Sequence, residues 1–166
     1  YIRTSRNGEN NLLKIRLLTV GKIENEYTRA LAETYRKRIE HYAAFDWEIV
    51  KPEKIKTLTP AEILAREAQR IEQKVDAKGK TILLDKDGSQ YSSEELAAFL
   101  ENASGSGKRI TFVIGGPWGI SENVKKNAAL SLSLSKMTFP HELATVMLLE
   151  QLYRALSLRK GEKYHK

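Results

Sequence analysis

Three segments of the chain carry residues suited to holding a small ligand, and each follows an apolar stretch. They are residues 85–88 (DKDG), residues 115–119 (GGPWG) and residues 134–140 (LSKMTFP). In open α/β sheets, ligands bind at the loops that follow the carboxyl ends of strands, where backbone amides are free. These three segments are therefore the candidates for a binding site.

The spacing of the glycines limits which ligand the second segment can hold. Gly115, Gly116 and Gly119 let the backbone approach a ligand closely, yet they form neither G-x-G-x-x-G nor a P-loop. A dinucleotide-binding fold also needs an acidic residue roughly 20 positions after the glycines to bind the ribose. Ser135 stands at about that position, and no acidic residue is near it. The pattern disfavours a dinucleotide site, and a plain strand-to-helix turn is the alternative interpretation.

Apolar strands alternate with helical patterns from residue 12 onward. Short apolar runs predict strands at residues 14–20, 46–50, 81–84, 109–114 and 130–134. Because a helical pattern lies between each pair of runs, the sheet should be mostly parallel with helices on both faces, which is an α/β fold.

Capping residues mark where the helices begin. Thr59 and Ser92 each open a capping box that ends in a glutamate three residues later, Ser121 can cap a further helix, and Pro140 can begin the last one. Three groups of apolar residues recur at helical spacing, each on one side of a helix: Leu31, Tyr35, Ile39 and Tyr42; Leu64, Ala68, Ile71 and Val75; and Leu143, Met147, Leu152 and Leu156.

Length and composition favour one globular domain. The chain has 166 residues, of which 41% are hydrophobic, and we expect a single domain over residues 12–166 with residues 1–11 as a polar leader or extension outside it. No apolar run reaches the roughly 18 residues that span a bilayer, and no secretory signal precedes the first strand, so we expect a cytoplasmic protein without membrane contact. The absence of cysteine excludes disulfides and thiolate metal sites, and we expect no metal.

The positive charge is concentrated near the end of the chain. The formal net charge is +7, and residues 154–166 contain five basic side chains and one acidic side chain. Such a patch attracts polyanions by Coulomb force and by counterion release, which favours a nucleic acid as the partner. A surface that merely improves solubility is the alternative.

Several motifs, taken in their order, resemble one known family. They are KIRLLTVGK at 14–22, VIGGPWG at 113–119, LSLSKMTFPH at 132–141, LYRA at 152–155 and YHK at 164–166. Together they resemble the bacterial ribosomal RNA large subunit methyltransferase H family of the SPOUT class, over the chain from about residue 13 to its last residue.

The resemblance implies a fold, an assembly and a cofactor. The C-terminal part of the sheet should thread a loop as a trefoil knot, an exception to the usual absence of knots, and two copies should form a homodimer with the site at their interface. S-adenosylmethionine should lie in the knot, where adenine finds an apolar slot and backbone partners. The cofactor contacts that the resemblance implies are Leu84, Gly115, Leu134, Ser135, Lys136, Met137, Thr138 and Phe139.

The resemblance also implies a reaction, methylation at N3 of a pseudouridine in an intersubunit stem-loop of 23S ribosomal RNA, on the assembled ribosome. N3 must lose its proton before or as it attacks the methyl group, so the site needs a base or a group that stabilises the anion. The family positions associated with catalysis or substrate placement correspond to Arg154 and His165. The tail residues expected to contact RNA, the first by stacking and the others by charge, are Tyr164, Lys160, Lys163 and Lys166.

Other interpretations of these residues stay open. His165 stands where chain ends commonly fray, and Arg154 can pair with Glu150 one helical turn earlier. We interpret His141 as a helix-start contact to the cofactor loop rather than a base, and His41 as a surface residue. For function, the alternatives are a non-catalytic RNA-binding protein that kept the fold, and a SPOUT enzyme that acts on another RNA such as tRNA.

Overall fold

A computed structural model of the chain describes residues 12–54, 57–105 and 107–162. Predictions that fall on residues 1–11 and 163–166, including those for Lys163, Tyr164, His165 and Lys166, lie outside the described residues. The elements within them are, in chain order, β1 (Lys14–Val20), α1 (Glu26–Glu40), β2 (Ala44–Val50), α2 (Pro60–Glu72), β3 (Lys80–Gln90), α3 (Ser93–Ser104), β4 (Ile110–Ile114), α4 (Glu122–Lys126), β5 (Leu130–Ser133) and α5 (His141–Arg159).

The strands form one sheet in the order β2-β1-β4-β3-β5, and every neighbouring pair is parallel. Parallel neighbours require crossover connections, and here helices make them. The helices α1, α3 and α5 pack on one face of the sheet, whereas α2 and α4 pack on the other. The predicted α/β fold with helices on both faces is therefore confirmed. In the described part of the chain, no helix has both the length and the apolar character needed to cross a bilayer.

Alternation along β1 divides the buried residues into two cores. Ile15 and Leu17 belong to the core beneath α1, α3 and α5, whereas Leu18 and Val20 belong to the core beneath α2 and α4. The central strand β4 is buried along its whole length, as expected for a strand with helices on both sides.

The strand β3 is longer than the sequence pattern predicts. We expected it to end at Leu84 and a turn to follow at residues 85–88, but the strand resumes after this segment. Leu132 pairs with both Leu84 and Ser89, so residues 85–88 bulge out of the ladder. Gly88 fits here because a Cβ would lie 2.5 Å from a carbonyl oxygen of β5. The predicted turn is thus a bulge inside a strand.

The predicted helix starts are confirmed. Thr59 and Ser92 each form a complete capping box, in which the side chains of Glu62 and Glu95 accept hydrogen bonds from the cap backbone. The Ser121 hydroxyl accepts from a backbone amide in the first turn of α4. Local hydrogen bonding decides these positions, which is why the sequence predicts them well.

Two residues of the predicted helix faces are exposed. Leu31 of α1 and Leu143 of α5 keep 47% and 45% of their surface accessible, whereas α1 buries Ala32 and Ile39. Periodicity gives the spacing of an apolar face but not which of two adjacent residues points at the sheet. Leu31 and Leu143 are therefore exposed, although they stand at helical spacing from buried residues.

Candidate active site

A cleft of about 760 Å³ lies between the bulge of β3 and the segments that follow β4 and β5. Its walls come from all three segments singled out in the sequence, together with the first turn of α5. The volume falls within the range of small-molecule sites. The cleft lies at the carboxyl edge of a parallel sheet, where such folds bind ligands.

Most of the predicted cofactor contacts lie together in this cleft. Lys136 is the exception, since its side chain is exposed and it does not belong to the lining. Met137 lines the cleft but keeps 72% of its surface exposed. The predicted contacts that line the cleft are Leu84, Gly115, Leu134, Ser135, Met137, Thr138 and Phe139.

A buried serine joins two of the three segments. The Ser133 hydroxyl lies 3.0 Å from the carbonyl oxygen of Lys86 and 2.9 Å from that of Ser135, and it donates its single proton to one of them at a time. Ser135 in turn accepts from the backbone amide of Met137 at 3.0 Å. The bulge of β3 and the segment after β5 are therefore held together. In the sequence, Ser133 is simply one residue of the strand predicted at 130–134.

The glycine segment closes tightly on itself. A Cβ at Gly115 would lie 2.4 Å from the carbonyl oxygen of Gly119 and 2.7 Å from Cγ1 of Ile120. Gly119 has a φ of +84°, and its backbone amide donates to the carbonyl oxygen of Gly116 at 2.9 Å. This backbone geometry requires glycine at 115 and favours it at 119, whatever the cleft binds.

An ion pair forms part of the cleft wall. Lys125 Nζ donates to Asp85 Oδ2 at 2.7 Å, and Glu122 lies 3.3 Å from the same ammonium. Burial favours a higher pKa for Asp85, but hydrogen bonds from Lys125 and from the Asp87 amide, with the charges of Lys125 and Lys86, outweigh it and lower the pKa. The hydrogen bond to Asp85 is the main reason that the pKa of Lys125 is raised. Both groups are charged at neutral pH.

A buried carboxyl group lies directly behind the glycine segment. Glu67 of α2 is 3% exposed, and its Oε1 accepts from the Glu53 amide at 3.0 Å. Its Oε2 has no hydrogen-bond partner among the described residues, and a Cβ at Gly116 would lie 3.2 Å from it. Burial raises the pKa of Glu67. The sequence carries one signal for this residue, which the motifs above do not include: Glu67 stands four residues from both Ile63 and Ile71, on an apolar helical face.

The described histidines occupy different settings. His141, the first residue of α5, lines the cleft, and its Nε2 lies 3.4 Å from the carbonyl oxygen of Lys22. Its helix-start contact is thus to the loop after β1 and not to the segment after β5. His41 is exposed at the end of α1, with Nδ1 2.7 Å from the Lys37 carbonyl oxygen, which agrees with its interpretation as a surface residue.

Arg154 does not lie in the cleft of its own chain. It is half-buried on α5, where its Nη2 and Nε lie 2.7 and 3.1 Å from Glu150 Oε1. The pairing that the sequence spacing suggested is therefore present. Lys160 is exposed just after α5. Among the described residues, no cluster of three histidine, aspartate or glutamate side chains could hold a metal ion.

Comparisons with known proteins identify the family of the chain. The family model described as "Predicted SPOUT methyltransferase" matches residues 13–165. The chain is 39% identical to "Ribosomal RNA large subunit methyltransferase H" of Christiangramia forsetii, over 92% of this chain and 99% of that one. It is 40% identical to the protein of that name in Symbiobacterium thermophilum, over 93% of this chain and 100% of the other.

A solved structure has a similar fold. The "probable methylase family protein" of Haemophilus influenzae superimposes with a TM-score of 0.55 at 13% sequence identity, over 93% of this chain and 71% of that one. The family match extends over all the segments that form the cleft, and the relatives align over nearly their full lengths. The chain therefore belongs to the SPOUT methyltransferase family, in the group named ribosomal RNA large subunit methyltransferase H.

Proposed function

We propose that this methyltransferase moves the methyl group of S-adenosylmethionine to N3 of a pseudouridine in 23S ribosomal RNA, on the assembled ribosome and in the cytoplasm where ribosomes work. The observation that carries the proposal is the convergence of the β3 bulge and the segments after β4 and β5 on one cleft, within a chain whose relatives are named for large-subunit ribosomal RNA. The trefoil knot stays a prediction of the resemblance.

The lining of the cleft fits an adenosyl sulfonium. Leu84, Leu132 and Leu134 form an apolar wall that suits a purine ring, and the glycine segment brings backbone groups close to a ligand. The unpartnered carboxyl oxygen of Glu67, behind Gly116, suits a positively charged ligand. When bound, S-adenosylmethionine supplies an electrophilic methyl group.

The substrate nitrogen has to lose a proton, and we assign this step to the basic C-terminal region. His165 can titrate near neutral pH and so accept the N3 proton, or orient the base that does. Arg154 carries a permanent charge that can hold a phosphate or stabilise the imide anion. Lys160, Lys163 and Lys166 would hold the RNA backbone, and the Tyr164 ring would stack on a base.

A second copy of the chain would complete the site. Trp118 and Met137 line the cleft with large exposed surfaces, and Leu143 is exposed on the first turn of α5 beside it. Exposed apolar side chains at one place mark an interaction surface. Since Arg154 lies outside the cleft of its own chain, we propose a homodimer in which one copy presents Arg154 and its tail to the RNA held at the cleft of the other.

The proposal is tested by methyl transfer from labelled S-adenosylmethionine onto whole ribosomes, separated subunits and bulk tRNA, with the product nucleotide identified by mass. We expect label in 23S ribosomal RNA from whole ribosomes, in a methylated pseudouridine. Label on tRNA alone would overturn the assignment of 23S ribosomal RNA as the substrate. If calorimetry with and without ribosomes detects no S-adenosylmethionine binding, the result contradicts the enzyme assignment and favours the alternative, a non-catalytic RNA-binding protein.

A further inference from the structure

Glu67 presents an energetic problem that the fold alone does not explain. Its carboxyl group is 3% exposed, and among the described residues Oε1 has one hydrogen-bond donor, the Glu53 amide, whereas Oε2 has none. A buried oxygen without a partner destabilises the protein, and a buried negative charge without a partner does so more strongly. A bound ligand is one source of the missing interaction.

The groups around Glu67 leave its charge largely uncompensated. Arg70, the cation that acts on it, forms an ion pair with Glu53, so the positive charge is shared with a second carboxylate. A Cβ built at Gly116 would lie 3.1 Å from Cγ1 of Val20, an uncharged residue of β1, and 3.2 Å from Oε2 of Glu67. Gly116 itself lines the cleft, so a cation bound against it would face Glu67 across a residue that has no side chain.

We infer that Glu67 acts through Gly116 as a positioning charge that makes the cleft prefer a sulfonium cation to the neutral thioether left after methyl transfer. This inference rests on the proposed function. It assigns Glu67 a role in ligand selectivity. The negative charge of Glu67 attracts the sulfonium and so favours binding of the methyl donor. After methyl transfer the sulfur is neutral, so this attraction is lost and release of the product is favoured. Glycine at 116 leaves no side chain between the carboxyl group and the cleft, and any other residue there would place a Cβ 3.2 Å from Oε2.

The preference should depend on pH in a defined direction. Burial raises the pKa of Glu67, the Glu53 amide and the Arg70 charge partly oppose this, and the Glu53 charge adds to the rise. As the pH falls through this raised pKa, the carboxylate takes up a proton and its attraction for a cation is lost. The affinity for S-adenosylmethionine should therefore fall relative to that for S-adenosylhomocysteine, the neutral thioether.

The test is calorimetric titration of the full chain with each of the two compounds, in the wild type and in Glu67→Gln. The quantity compared is the ratio of the affinity for S-adenosylmethionine to the affinity for S-adenosylhomocysteine. At neutral pH, we expect this ratio to be on the order of tenfold higher in the wild type than in Glu67→Gln, because two opposite charges several ångströms apart attract each other in a partly buried site. The variant's ratio should not change with pH. Glu72→Gln, an exposed change on the same helix, should keep the wild-type ratio.

An equal ratio in the wild type and Glu67→Gln overturns the inference. If Glu67→Gln fails to fold, as judged by circular dichroism, the pH dependence of the wild-type ratio decides, and a ratio that is flat between acidic and neutral pH overturns it. If neither compound binds to any folded variant, with or without ribosomes, the proposed function itself fails. Binding of both compounds with unchanged selectivity refutes only the role of Glu67.

Discussion

Lys125 Nζ donates a hydrogen bond to Asp85 Oδ2 at 2.7 Å, which joins the short helix α4 to the bulge of β3. Both side chains are more than two-thirds buried. The two segments are far apart in sequence, and each forms part of the cleft wall. The ion pair therefore stabilises the fold and the shape of the cleft together.

The ion pair should make stability depend on pH. Because the folded pKa of Asp85 is below its unfolded value of about 3.9, its contribution is complete above that value and is lost as the pH falls through the folded pKa. At pH 7, Asp85→Asn should lower the free energy of unfolding in urea by about 1–3 kcal/mol, and this difference should shrink in strong acid. Asp87→Asn, which changes a mostly exposed carboxylate, should have little effect. An Asp85→Asn effect of the same size at both pH values would contradict the assignment.

Alanine at Gly115 should damage both the cleft and the fold. The added Cβ would meet the Gly119 carbonyl oxygen at 2.4 Å, so the segment must shift. We expect S-adenosylmethionine affinity, measured by calorimetry, to fall by roughly tenfold or more, and the free energy of unfolding to fall by about 1–3 kcal/mol. Gly105→Ala is the matched control, since among the described residues, its chain neighbours aside, no atom lies within 4 Å of the added Cβ, and its backbone is helical. A Gly115→Ala protein with normal affinity would argue against the cleft as the cofactor site.

Removal of the imidazole at His165 should separate catalysis from cofactor binding. We expect His165→Ala to reduce single-turnover methylation of ribosomes by about 10²- to 10⁴-fold, as is typical for loss of an acid–base group. Affinity for S-adenosylmethionine should stay close to that of the wild type, because the residues assigned to the cofactor belong to the cleft and do not include His165. His41→Ala provides a surface control. Lost cofactor affinity with intact turnover would refute the assignment.

Two substitutions distinguish the possible roles of Arg154. If Arg154 acts on RNA, Arg154→Met should lower kcat/KM for ribosomes by at least roughly tenfold. Glu150→Gln weakens the ion pair but keeps the guanidinium, so it should change kcat/KM far less. If the contact with Glu150 is purely structural, both substitutions should lower thermal stability and activity in parallel. Methylation rates at saturating S-adenosylmethionine, measured with melting temperatures, separate the two outcomes.

Predictions that depend on short-range interactions agree well with the structure. The capping boxes at Thr59 and Ser92 involve groups three residues apart, so the sequence already contains both partners. The order of apolar strands and helices likewise leads to a parallel sheet, because the connections permit little else. Since the carboxyl ends of such strands meet at one edge, the sequence alone predicts that residues 85–88, 115–119 and 134–140 lie near one another.

The sequence alone determined the class of fold, the helix starts and the segments that form the cleft, because local hydrogen bonding and apolar periodicity encode them. Only the tertiary structure decided that β3 resumes after a bulge, that Ser133 joins two segments, and that Arg154 lies outside the cleft of its own chain. It also placed the carboxyl group of Glu67 behind Gly116. Each of these depends on contacts between residues distant in the chain, whose pairing follows from the packing of the whole fold and not from local sequence.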